Sequence, residues 1–266
     1  MKEKIKLIFL IIIIIALFFG CGVVVYNYIR AQKEEVSHPV ATFEIQDVGN
    51  VKIELYPEYA PNTVTNFIKL IQTGFYNNKV VYGKDDVCLY MARSAEEDSE
   101  GPKLSLIDES VEADSDNDYE YEIDGEFIAN NFEQNTLRHE KGVISLNRSD
   151  YSSYGLTDES YNSGSYRFSV LMADSSELNG VYCAFGKVIE GMDILENLYN
   201  TAEIAQDESE EETAEEDPSI QAFATMPVIT NATVETNGVD YGNPVVHEAF
   251  DVNSYLSDLY SKYYSN

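Results

Sequence analysis

Tryptophan is missing from this sequence, and cysteine, histidine and basic side chains are scarce. Lys and Arg total 17 against 47 Asp and Glu, a formal charge of −30. That balance excludes a nucleic-acid ligand, because a phosphate-binding surface is built from Lys and Arg. It equally argues against docking on anionic lipid. The three cysteines, Cys21, Cys88 and Cys183, are too few for a disulfide framework. Cys21 lies in an apolar N-terminal run, so only Cys88 and Cys183 can pair within a folded domain. The histidines His38, His139 and His247 stand in unrelated segments. No Ser-His-Asp set, metal-binding cluster or Gly-rich phosphate loop is visible, so no cofactor or metal is expected.

The most prominent feature present is the run Leu7 to Tyr26, 20 residues without a charge. At about 1.5 Å per residue it spans a hydrocarbon core of roughly 30 Å. Lys2, Lys4 and Lys6 before it favour a cytoplasmic N-terminus, which places the rest outside. Two other readings compete. A cleaved signal peptide has a shorter apolar stretch and a small-residue cleavage site. A lipoprotein signal would use Cys21; Gly20 fits it, whereas Phe18 and Phe19 do not, and Gly22 to Tyr26 continues the apolar run. The expected layout is a cytoplasmic tail at 1–6, a signal anchor at 7–26 and a stalk at 27–38. The protein is then a single-pass cell-membrane protein with its domain outside the cytoplasm.

From Val40 the pattern is β. Residues 41–45 and 51–55 alternate around a turn at 47–50, a hairpin signal. A helix follows, with Pro61 in its first turn, Val64, Phe67, Ile68 and Ile71 on one face, and Gly74 at its end. Strand patterns recur at 142–146, 168–172, 182–188 and 228–235, and Met192, Ile194, Leu195 and Leu198 mark a second helix. Two acidic stretches interrupt this order. Residues 95–126 hold 14 acidic side chains and one basic one, Lys103, and 202–217 hold nine and none. Both read as solvated insertions, near 95–122 and 202–218. Asp114, Asp116 and Asp118 begin like a calcium loop, but Tyr119 replaces its glycine and Gly125 its closing glutamate, so a plain acidic loop is expected. The C-terminal extension, 243–266, repeats apolar residues from Val252 to Tyr263 as an amphipathic helix whose apolar face is expected to pack back on the domain, with a partner-binding face as the alternative.

Three stretches carry a family resemblance: Ile53 to Tyr76 with Tyr56-Pro57, Ala60-Pro61-Asn62-Thr63-Val64 and Gly74-Phe75-Tyr76; Leu137 to Leu146; and Leu178 to Asp193 with Ala184-Phe185-Gly186-Lys187-Val188. The ending Val234-Glu235-Thr236 with Gly238 to Gly242 adds to them. In order and spacing these resemble a bacterial cyclophilin, a peptidyl-prolyl cis-trans isomerase, over residues 39–242. The resemblance implies a mainly β fold, an eight-stranded antiparallel barrel capped by two helices. It also implies a groove for proline-containing peptides or unfolded secreted proteins. Rotation about an X–Pro bond faces a barrier near 20 kcal/mol set by amide resonance. The family lowers it by holding the twisted amide better than either planar form. An apolar pocket takes the proline ring, an arginine donates near the proline nitrogen, and a glutamine holds the chain.

Carried over position by position, this machinery is depleted. The arginine falls on Gly83, the pocket phenylalanine on Cys88 and the glutamine on Met91. Aligned without gaps, the Gln-Phe-Phe segment falls on Arg167, Phe168 and Ser169; a one-residue shift would put Phe168 in the pocket instead. Leu178 and Tyr182 match bacterial relatives, although with Phe168 they serve equally well as barrel packing. The groove candidates are therefore Leu89, Met91, Asn147, Arg167, Ser169, Leu178 and Tyr182, with no catalytic residue identified. Arg167 offers a substitute guanidinium, although position matters as much as charge at a preorganised site. Weak or absent isomerisation is expected, and Gly83→Arg with Met91→Gln and Ser169→Phe is expected to raise it. The alternative is a non-catalytic module that binds peptide or protein partners.

Overall fold

The computed structural model describes residues 37–94, 101–206 and 219–264. The Leu7–Tyr26 run lies outside them. Among the described residues no helix is long and apolar enough to cross a membrane. The folded unit runs from His38 onward.

The chain opens with the expected hairpin, β1 (Val40–Ile45) and β2 (Gly49–Leu55). Ala41, Phe43 and Ile45 of β1 and Val51, Ile53 and Leu55 of β2 are buried, as alternation requires when one face is inside. Helix α1 (Pro61–Gln72) buries Val64, Phe67, Ile68 and Ile71. Its N-cap, Ala60, has no side-chain oxygen to offer. The first amides are satisfied from outside instead: the Glu126 carboxylate accepts from Asn62 N at 2.9 Å and Thr63 N at 2.7 Å. Strands β3 (Lys79–Lys84) and β4 (Cys88–Ser94) follow. Beyond the first insertion come β5 (Tyr121–Glu122), β6 (Val143–Leu146), a single helical turn α2 (Thr157–Tyr161), β7 (Phe168–Leu171) and β8 (Cys183–Glu190). The second expected helix is α3 (Met192–Thr201), with Leu195 fully buried. It is followed by β9 (Gln221–Ala222), β10 (Ile229–Glu235), β11 (His247–Glu248) and α4 (Val252–Tyr264).

Nine strands form one curled antiparallel sheet in the order β10-β1-β2-β8-β6-β7-β4-β3-β9. Its two ends meet where Val80 of β3 bridges Val228, beside hydrogen bonds from Asn78 N to Ile229 O and Val81 N to Pro227 O. The first half of β3 thus faces the start of β10, and its second half takes the extra strand β9 at Gly83 and Lys84. Inside the curl, Phe67 packs on Phe168 and Phe185 with ring centroids 5.2 and 5.1 Å away, and Tyr76 joins them. Cys88 and Cys183 are both buried and unpaired.

Two expectations about the additions are corrected. The first acidic segment is not a solvated loop from residue 101 onward. Ile107, Tyr121 and Ile123 are buried in the main core, and Tyr121 Oη donates to Asn66 Oδ1 at 2.9 Å. Its aspartates brace the loop: Asp118 accepts from Ser105 N and Asp114 N, both at 2.8 Å. Few apolar residues sufficed because each is large and fully covered. The C-terminal helix also departs from expectation. The strand before it, β11, pairs with β5, and Phe250 stacks on Tyr151 at 5.5 Å. Helix α4 itself leaves Tyr255, Leu259 and Tyr260 at 38%, 39% and 61% exposure, so its apolar face is not packed down.

Candidate functional site

Strand parity decides which side chains share a face. Across the β4–β7 ladder, Leu89 pairs with Val170, Tyr90 with Ser169 and Met91 with Phe168. Leu89, Met91, Phe168 and Val170 are all fully buried in the aromatic core. Adjacent residues point oppositely, so Cys88, Tyr90 and Ser169 face the other side. Two candidates, Leu89 and Met91, are thereby removed from any groove on that outer face, and Met91 does not stand in for a substrate-holding glutamine. The position of Phe168 in the core favours the ungapped alignment, with Ser169 outward.

Asn147, Arg167 and Tyr182 lie just past the ends of β6, β7 and β8, on the parity of Ser169. Asn147 N donates to Arg167 O at 2.9 Å. Leu178 joins them through its turn, since Tyr182 N donates to Leu178 O at 3.1 Å. His139 fixes this turn from beneath. Its backbone N–H and ring Nδ1–H both donate to Asn179 Oδ1, at 2.8 and 3.3 Å, so Nε2 accepts from the Ser145 hydroxyl at 3.0 Å. Burial drives the His139 pKa down to about 4, which keeps the ring neutral. The Arg167 guanidinium lies over the Tyr166 ring at 5.7 Å. Burial, followed by the Arg167 charge, lowers the Lys79 pKa. Arg167 is thus turned toward Tyr166.

Gly83 has a physical reason to be glycine. It pairs with Tyr90 on one side and with Ala222 of β9 on the other. A Cβ there would stand 2.7 Å from Gln221 O and 2.9 Å from Ile220 Cγ2. The stem of the second acidic insertion therefore covers Gly83, the position onto which the sequence alignment carries the family's arginine. That stem is anchored rather than loose. Phe223 is buried in the core, and its N–H donates to Tyr82 O at 2.9 Å. The expected gain in rate from Gly83→Arg with Met91→Gln and Ser169→Phe meets an obstacle, because a side chain at Gly83 enters only if the β9 stem shifts.

Cys88, the position the alignment gives to the pocket phenylalanine, lies beside Asp85 and Ser169. Burial, aided by the Asp85 charge, pushes the Cys88 thiol up to about 12, against an opposing influence from the neighbouring Ser169. Cys88 is a neutral wall and not a nucleophile. Asp85 closes the β3–β4 turn by accepting from Val87 N at 2.7 Å and from Tyr90 Oη at 2.8 Å. Tyr90 in turn stacks on Tyr82 at 5.8 Å. Tyr82 and Tyr90 were not among the sequence candidates, though alternation counted from Ser169 across the ladder would have found Tyr90. Arg148 was also missed; its guanidinium lies 4.4 Å from the centre of the Tyr182 ring.

The family model for cyclophilin type peptidyl-prolyl cis-trans isomerase matches residues 40–223. Peptidyl-prolyl cis-trans isomerase B of Bacillus subtilis is 26% identical over 164 residues, covering 59% of this chain and 89% of its own length. A peptidyl-prolyl cis-trans isomerase of Arabidopsis thaliana is 28% identical over 150 residues, 56% of each chain. The crystal structure of a cyclophilin type isomerase from Cryptosporidium parvum superposes with a TM-score of 0.52 at 18% identity, covering 74% of this chain and 98% of its own. That superposition defines a cyclophilin-like fold. The family match extends over more than half of the chain, which belongs to the cyclophilin-type peptidyl-prolyl cis-trans isomerase family.

Proposed function

We propose that this chain is a membrane-anchored cyclophilin, held outside the cytoplasm, that binds proline-containing segments of secreted chains and isomerises them weakly. The anchor reading rests on the uncharged run Leu7–Tyr26 and the lysines before it. The binding reading rests on family membership and on an outer face that carries Leu178, Tyr182, Asn147 and Ser169. A single observation supports weak catalysis: the arginine position is Gly83, and β9 fills the space beside it. Loss of one preorganised donor at a reacting centre costs about 2.7–4 kcal/mol in other enzymes, roughly 100- to 1000-fold in rate. The expected eight-stranded, helix-capped barrel is the architecture this reading assumes, with β9 added to its rim.

The same observation favours a second reading, a cyclophilin-like module that binds without isomerising. Cis–trans exchange in an Ala-Pro peptide, measured by NMR with and without the purified full-length protein, separates the two. Slow but protein-dependent exchange supports the weak isomerase. Binding without any acceleration supports the module, and an ordinary cyclophilin rate refutes both.

A further inference from the structure

Among 47 acidic residues, an arginine with no carboxylate partner stands out, and Arg148 is one. It follows Asn147 at the end of β6 and lies half-buried among three rings. Its guanidinium carbon is 4.4 Å from the Tyr182 ring centre, 5.1 Å from Tyr161 and 6.0 Å from Phe127. Such stacking fixes the plane of the guanidinium while leaving its edge available. Of its N–H donors only Nη1 is used, toward Ser149 O at 3.3 Å, and the buried Nε has no hydrogen-bond partner. No carboxylate among the described residues lies within ion-pair distance of it. The Asp150 carboxylate is near enough to feel the Arg148 charge, but it accepts from Ser152 N at 2.9 Å and makes no ion pair with the guanidinium.

We infer that Arg148 is the specificity-determining residue of the groove and selects peptides with a carboxylate side chain beside the proline. This rests on the reading of the groove as a site for proline-containing peptides. The guanidinium lies over the Tyr182 ring, and Tyr182 is tied to Leu178 through the backbone of their turn. A planar fork of donors matches a carboxylate in bidentate fashion, and such charge-assisted bonds are about twice as strong as neutral ones. The chain's charge of −30 opposes long acidic runs, so the fitting ligand carries a single carboxylate next to its proline.

The test is binding of three fluorescent peptides, Ala-Asp-Pro-Ala, Ala-Asn-Pro-Ala and Ala-Lys-Pro-Ala, to the full-length protein in detergent, read by anisotropy. Wild type is expected to hold the Asp peptide about tenfold more tightly than the Asn peptide, and the Lys peptide most weakly. Arg148→Gln is expected to erase the Asp preference while still binding the Asn peptide, and Arg148→Lys to keep part of the preference. Thermal unfolding of each variant checks that the ring cluster has not collapsed. Equal binding of all three peptides by wild type, or an Asp preference that survives in Arg148→Gln, overturns the inference and leaves the proposed function standing. Binding of none of them by wild type overturns both.

Discussion

At the scale of single residues, Gly83 carries the strongest constraint. A methyl group there meets a backbone oxygen at 2.7 Å, which a flexible side chain cannot relieve by moving aside. Overpacking of this kind costs about 1–3 kcal/mol. Gly83→Ala should lower the urea midpoint accordingly, and Gly83→Arg should lower it further without raising isomerisation. Two buried titrating groups contribute opposite pH slopes. Burial raises the Glu122 pKa from about 4.5 to about 7, even though its carboxylate accepts from Phe250 N. The folded state therefore binds more protons than the unfolded state across that window. The Glu122 contribution is unpenalised below pH 4.5 and is lost as pH rises through 7, to a limit of roughly 3 kcal/mol. His139 acts with the opposite slope. Its pKa is lowered from 6.5 to about 4, so its contribution is present above 6.5 and lost as pH falls toward 4. Chemical denaturation from pH 4 to 8 should show a stability maximum between about 5 and 6.5. Glu122→Gln should gain about 1–3 kcal/mol at pH 8 and nothing at pH 4.

At the scale of elements, the two acidic insertions separate. Residues 101–126 supply Ile107, Tyr121 and Ile123 to the core, and Glu126 to the amides of α1. Removing 101–122 should abolish cooperative unfolding in calorimetry, whereas removing 207–217 and keeping Phe223 should leave the transition temperature within a few degrees. Composition concealed this difference. Charge density was read correctly from the sequence, but a few large residues such as Tyr121 form contacts with α1 that no local pattern announces. The hairpin β1–β2, helix α1 and helix α3 were legible because their apolar periods match their buried faces. The groove was legible only in part. Alignment located Ser169, but the faces of Leu89 and Met91 depend on the β4–β7 register, which places both inward. Strand β9 was hidden because two residues, Gln221 and Ala222, just past an acidic stretch are too few to carry a strand pattern.

At the scale of the whole molecule, the reading joins an apolar N-terminal run to a cyclophilin-family domain of strongly negative charge. Fractionation with N-terminal sequencing should recover the intact chain from the membrane, and a soluble form lacking residues 1–26 would remove the anchor. Under the proposed anchor the acidic domain lies outside the cytoplasm, and its charge disfavours polyanionic partners. The central claim is that a family fold persists here with its arginine position covered by its own insertion. Its most direct measurement is the rate of cis–trans exchange of an Ala-Pro peptide catalysed by the purified protein, compared with an ordinary cyclophilin under identical conditions. The account predicts a rate at least about 100-fold lower, from loss of the donor at Gly83. A rate equal to the ordinary enzyme would contradict it.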